Sequence, residues 1–160
     1  MVAVTLGRFS RGVAGVAGLL TIVVSATQVL GPVVTIPGVV ILLLGARNDS
    51  RTVCRFGAGI TFLGVLITSS GTGFPVLALA AAALLVLAWD SAEYAVSIGT
   101  VPAGTETERV ELVHAAATTL VLTVVGSAGY VVYRFAPERL AGATVVVLIL
   151  GAAVLTALRE

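Results

Sequence analysis

Six apolar runs separated by short polar punctuation organise this chain. Arg8 and Arg11 precede the first run, about 12–30, which is uncharged and broken in polarity only by Thr21, Ser25, Thr27 and Gln28. Gly31-Pro32 reads as a turn, and Pro37 restricts Ile36 to extended backbone, so a short second helix over 33–46 is expected to begin near Pro37 or to kink there. Arg47, Asn48, Asp49, Ser50, Arg51 and Arg55 then read as a compact charged loop. A third run, 56–69, passes through the uncharged turn Ser69-Ser70-Gly71-Thr72-Gly73 into a fourth, 74–98. The fifth, 106–134, ends on Tyr130, Tyr133 and Arg134, a pairing of aromatic residues and snorkelling arginine suited to a membrane boundary. Ala136-Pro137-Glu138 turns the chain into a sixth run, 138–158.

A crossing helix needs roughly 20 predominantly apolar residues. The runs therefore predict an all-α fold: a polytopic membrane helical bundle of six transmembrane helices in three hairpins, forming a single membrane domain over 1–160. Four or five crossings are the fallback if the shortest runs do not span. The first run also has the marks of a signal peptide, with Val24-Ser25-Ala26 as a cleavage site. Its apolar character continues to Leu30, which favours a retained spanning helix. Composition agrees, with 58% apolar and 11% charged residues, against roughly 25% charged in soluble domains.

The polar residues then set topology. With six crossings, Arg8, Arg11, Arg47, Arg51, Arg55, Arg109 and Arg159 lie on one side, against Arg134 and Arg139 on the other. The arginine-rich side should be cytoplasmic, which places both termini there in a cell-membrane protein. Two strips of small residues are expected to let helices approach closely: Gly12, Gly15 and Gly18 on the first helix, and Gly57, Thr61, Gly64 and Thr68 on the third. Neither is a nucleotide loop, because each sits within an apolar helix.

Chemistry concentrates between Trp89 and His114. That segment holds five of the eight acidic residues and the only Trp and His. Thr105 and Glu108 form a capping box, so a helix should start near Glu106 and carry Glu111, His114 and Thr118 along one side. Asp90 and Glu93, at the end of the fourth helix, would then approach Arg109, Glu111 and His114. Three readings compete for the cluster Trp89, Asp90, Glu93, Arg109, Glu111 and His114. The first is a set of satisfied ion pairs and hydrogen bonds that docks the fourth helix on the fifth. The second is a proton or ion relay, since His titrates near neutral pH and ionisable groups at membrane depth are functional candidates. The third is a carboxylate–metal site built on Glu111-x-x-His114, which needs that motif twice, and one His supplies it once.

No nucleophile–base signature is present, and no cofactor motif. The expectation is a non-enzymatic chain with no cofactor and no metal. All nine basic residues are Arg, and the formal net charge of +1 argues against a polybasic arm for nucleic acid or anionic lipid. Cys54 is alone, and a small apolar role near a helix start suits it better than reactivity.

Trp89-Asp90-Ser91-Ala92-Glu93-Tyr94-Ala95-Val96-Ser97-Ile98-Gly99, followed by an acidic linker and Arg109-Val110-Glu111-Leu112-Val113-His114, resembles the signature of a family of small haloarchaeal multi-pass membrane proteins of unknown function. The likeness is specific over about thirty residues and compositional elsewhere, and Pro102 departs from it in the linker. Genes of that family often neighbour those of MoxR-type ATPases. The resemblance implies an accessory membrane subunit, partnered by the lipid bilayer and by other membrane proteins or a MoxR-type ATPase system. The function expected is a scaffold or accessory subunit of a membrane complex, with the 90–111 connection facing its partner. The rival class is a small transporter or channel with Asp90, Glu93, Glu111 and His114 at its cytoplasmic mouth.

Overall fold

The computed structural model describes residues 7–72, 75–98 and 107–135. Among these every regular element is an α-helix: α1 (Arg8–Ser25), α2 (Leu30–Arg47), α3 (Arg51–Thr72), α4 (Pro75–Ile98) and α5 (Thr107–Phe135). The chain divides into two compact units, Met1–Gly126 and Ser127–Glu160. The first unit holds α1 to α4 and most of α5. All five helices are long and apolar enough to cross a membrane. The sixth expected helix, 138–158, and with it the third hairpin, lie outside the described residues.

Several boundaries differ from those read in the sequence. α1 starts at Arg8 rather than near 12 and stops at Ser25, so the turn falls at 26–29. Gly31-Pro32 is therefore no turn; both lie in the first turn of α2, where a proline costs no hydrogen bond. α2 continues through Pro37 to Arg47. Its 18 residues extend about 27 Å at helical rise, close to a bilayer's hydrocarbon thickness. The expected 47–55 loop shrinks to three residues. Ser50 N–H donates to the Gly45 carbonyl (2.9 Å) to close α2, Asp49 takes a left-handed conformation (φ 50°), and Cys54 N–H donates to the Ser50 carbonyl (3.1 Å) to open α3. This is a Schellman-type close that runs straight into the next helix. At its far end α3 absorbs the expected 69–73 turn as far as Thr72.

α1 to α4 form a ring in which each helix packs on the next and α4 returns to α1. The closest partnership is α2 with α3, followed by α1 with α4, so the main interfaces cross the hairpin pairing read from the sequence. Small residues explain both. On α2 the buried positions include Gly31, Thr35, Gly38, Leu42 and Gly45, and on α3 Cys54, Gly57, Thr61, Gly64 and Thr68. Gly31 faces Thr68, Thr35 faces Gly64, Gly38 faces Thr61, Leu42 faces Gly57 and Gly45 faces Cys54. Each step of four or three along α2 is matched by an equal step back along α3. That alternation is the heptad rhythm of a left-handed antiparallel pair. At every level one helix contributes glycine, so the backbones approach closely.

The threonine hydroxyls in this seam do not cross it. Thr35 donates to the Gly31 carbonyl (2.8 Å), Thr61 to Gly57 (2.8 Å) and Thr68 to Gly64 (2.9 Å), each one turn back on its own helix. Their polarity is thus satisfied locally, with no hydrogen bond required across the interface. On α1 the buried strip is Ser10, Ala14, Ala17, Gly18, Thr21 and Ser25, and α4 answers with Ala81, Leu85, Ala88, Ala92 and Ala95.

Among the described residues the expected Gly12-Gly15-Gly18 strip forms no seam. Gly18 packs, against Val39. Gly12 and Gly15 meet no described residue within 4 Å of a Cβ position. Three-residue steps fall about 60° short of a full helical turn, so Gly12 and Gly18 lie about 120° apart around α1 and cannot share one face.

Candidate functional site

One end of this unit carries a belt of polar contacts. It brings together the start of α1, the α2–α3 turn, the last turns of α4 and the first half of α5. The first tie is Glu111, on α5 and 3% exposed. Its carboxylate accepts the backbone N–H of Gly7 (3.2 Å), the backbone N–H of Ser10 (2.8 Å) and the Ser10 hydroxyl (2.9 Å). α1 has no side-chain cap of its own and no acidic residue in its first turn. Its orphan N–H groups and the positive end of its dipole are therefore met by a carboxylate from another helix. Gly7 makes this possible: it turns the chain with φ 79°, and a Cβ there would lie 3.1 Å from the Ala95 carbonyl. A side chain would be strained at that angle and crowded by α4.

The second tie joins α4 to α5. Asp90 Oδ2 lies 2.8 Å from His114 Nε2 and accepts the Thr118 hydroxyl at 2.8 Å. Tyr94, one turn beyond Asp90, stacks on the His114 ring with centroids 3.9 Å apart and planes 9° from parallel. The imidazole is thus held by its edge and by its face. Asp90 and His114 are both half-buried.

The remaining ties reach the other helices. Arg11 Nη2 donates to Asp49 at 2.7 Å, joining α1 to the α2–α3 turn. Arg55 Nε donates to Glu93 at 2.8 Å and Arg51 Nη2 to the Ser97 hydroxyl at 3.0 Å, a two-rung ladder between α3 and α4. Trp89 packs on the core formed by Ala14, Leu42, Ala46, Cys54, Ala58, Ala92 and Val96, and its buried indole N–H has no partner among the described residues.

The residues singled out in the sequence are therefore gathered at one end but not into one cluster. Asp90 meets His114. Glu93 turns instead to Arg55 on α3, Glu111 to the start of α1, and Arg109 is exposed with no ion-pair partner among the described residues. The reason is angular: Asp90 and Glu93 point about 60° apart around α4, enough to address different neighbours. Glu111 and His114 likewise serve different helices, so the Glu-x-x-His pair does not converge on one point. Among the described residues no group of three His, Cys, Asp or Glu side chains could hold a metal. Thr105, Glu106 and Pro102 lie outside the described residues, as does the Glu108 side chain. Sequence reasoning missed Gly7, Ser10, Arg11, Asp49, Arg51 and Arg55 as members of the belt. The usable signal for the first two was the missing cap on α1.

Beside the belt, a cleft of about 500 Å3 opens between α1 and α5, lined by Val13, Leu112, Ala115, Ala116 and Leu120 with Thr119 and Thr123. Both threonine hydroxyls donate to carbonyls of their own helix, at 2.7 and 2.8 Å. Their hydroxyl hydrogens are thus committed within α5, and the rest of the described lining side chains are apolar.

No curated protein and no solved structure matches this chain. A family model matches residues 7–156, spanning every described helix and the whole polar belt, and the chain belongs to that family of unknown function, DUF7519.

Proposed function

We propose that this chain is a multi-pass membrane protein that acts without catalysis, as a scaffold or accessory subunit of a membrane complex. The observation that carries the reading is where its polar side chains go. Asp49, Asp90, Glu93 and Glu111 each bond to a helix that does not carry them, so each has a partner among the described residues. Ionisable groups engaged this way fix helix docking. The close-packed Gly–Thr seam between α2 and α3 supports the same reading, since its hydroxyls are committed to their own helices whereas a solute path needs polar groups along a lumen. The partner-facing surface is the 90–111 connection, whose positive-inside assignment is cytoplasmic along with both termini. A MoxR-type ATPase system is the partner that the resemblance in this segment suggests.

A transporter or channel is the second reading. It draws on the half-buried Asp90–His114 pair, a titratable couple at the base of the connection. Two measurements separate them. Affinity purification of the tagged chain from native membranes should recover a stoichiometric partner, and Asp90→Ala with Glu93→Ala should reduce its recovery. Proton or ion flux in liposomes holding the purified chain, abolished by His114→Ala, would overturn the scaffold reading.

A further inference from the structure

The α2–α3 tip presents three exposed arginines, Arg47, Arg51 and Arg55. The acids nearest them are already engaged: Asp49 by Arg11 of α1, and Glu93 by Arg55. Arg51 is steered toward α4 by the Ser97 hydroxyl, and Arg47 has no ion-pair partner among the described residues. The tip therefore keeps an excess of positive charge. Directly along α2 from Arg47 runs an exposed apolar stripe, Leu44, Val40, Ile36 and Val33, in steps of three and four that keep one helix face. On α3, Phe56 is 66% exposed next to Arg55.

We propose that this tip binds the headgroup of an anionic phospholipid, with its phosphate on Arg47 and Arg51 and its acyl chains along the α2 stripe. The inference rests on the membrane-spanning reading of the chain. Guanidinium groups match phosphate oxygens in geometry as well as charge. A cation placed over a continuous apolar face matches an amphiphile, whereas an acidic peptide in water would have no use for the stripe. Anionic lipid surfaces attract basic residues at the membrane edge, and the attraction falls off within a Debye length.

The test is lipid retention by the full-length purified chain, read by native mass spectrometry after exchange into phosphatidylglycerol or phosphatidylcholine. The wild type should retain phosphatidylglycerol on the order of tenfold more strongly. Arg47→Gln with Arg51→Gln should lose that preference, while Arg47→Lys with Arg51→Lys should keep most of it. Arg8→Gln with Arg109→Gln, which removes the same charge elsewhere, should leave it intact. Equal retention of both lipids by the wild type, a preference kept by the tip variant, or equal losses in both Gln pairs would each overturn the site. Carbonate washing of native membranes checks the underlying reading separately. A chain that stays in the membrane yet shows no lipid preference sinks this inference alone, and a chain that washes off sinks both.

Discussion

Glu111 caps the helix that carries Ser10, although α1 and α5 lie at opposite ends of the described chain. A helix start normally recruits an acceptor from its own first residues. Here the acceptor arrives from the last described helix, so the first turn of α1 is completed only when α5 docks. Local structure at the start of the chain thus depends on tertiary assembly, which links the capping of α1 to the seating of α5.

Glu111→Ala leaves two buried N–H groups and a hydroxyl without an acceptor. Unpaired buried donors cost about 1–3 kcal/mol, and losing a carboxylate from a helix N-terminus adds to that. Glu111→Gln keeps one acceptor oxygen, which can serve Ser10, but loses the charge and turns an amide NH2 toward the Gly7 N–H. Thermal unfolding in detergent should therefore rank the wild type above Glu111→Gln and Glu111→Gln above Glu111→Ala. Identical midpoints for all three would show that the cap does not contribute.

The Gly–Thr seam predicts a sharp contrast among glycines. A Cβ on Gly57 would lie 2.7 Å from Leu42 Cα and 2.8 Å from the Gly38 carbonyl, both backbone atoms that cannot swing aside. Gly57→Ala must separate the helices, and overpacking of this kind costs about 1–3 kcal/mol. Gly12 and Gly59 have nothing within 4 Å of that position among the described residues. Gly12→Ala and Gly59→Ala should be neutral or stabilising, by about 0.5–1 kcal/mol, from helix propensity alone. Unfolding midpoints of the three variants decide it, and similar effects at all three positions would refute the seam.

Which of these features the sequence made legible depends on how local each one is. A run of apolar residues long enough to cross a bilayer is a local property, so the five described helices were visible as elements. Their ends were less so, because Ser50 opening α3 and Pro32 sitting in a first turn depend on cap geometry rather than hydropathy. Gly57, Thr61, Gly64 and Thr68 show as a strip because their steps alternate three and four. The matching strip on α2, Gly31, Thr35, Gly38, Leu42 and Gly45, was hidden by two prolines that suggested a break. Partner choice was the least legible. Whether Glu93 turns to Arg55 or to α5 depends on which helices are neighbours, and a one-dimensional pattern does not contain that.

Cys54 offers a probe of the seam. It is fully buried, and its thiol donates to the Leu42 carbonyl at 3.6 Å, opposite Gly45. Thiolate formation and access both govern reaction with electrophiles, and burial denies access. Maleimide should label the folded chain far more slowly than the unfolded one, and Gly57→Ala should speed labelling by loosening the same interface. Rapid labelling of the folded wild type would contradict the packing of α2 on α3.

Asp90 and Glu93, two carboxylates three residues apart, hold unequal shares of the docking. Asp90 is half-buried and engages both His114 and Thr118, so Asp90→Ala strips two α5 side chains of their acceptor. About 1–3 kcal/mol of docking should be lost for groups of this kind. Glu93 meets an Arg55 side chain that is 64% exposed, where water replaces the partner readily, and Glu93→Ala should change little. Hydrogen exchange along the chain distinguishes a docking role from general damage. In Asp90→Ala the amides of α5 should lose protection while those of α2 and α3 keep it, and in Glu93→Ala neither should move. The ranking inverts if the Arg55 pair rather than the Asp90–His114 pair holds this end of the bundle together. Uniform loss of protection in Asp90→Ala would mean that Asp90 supports the whole bundle and not the seat of α5.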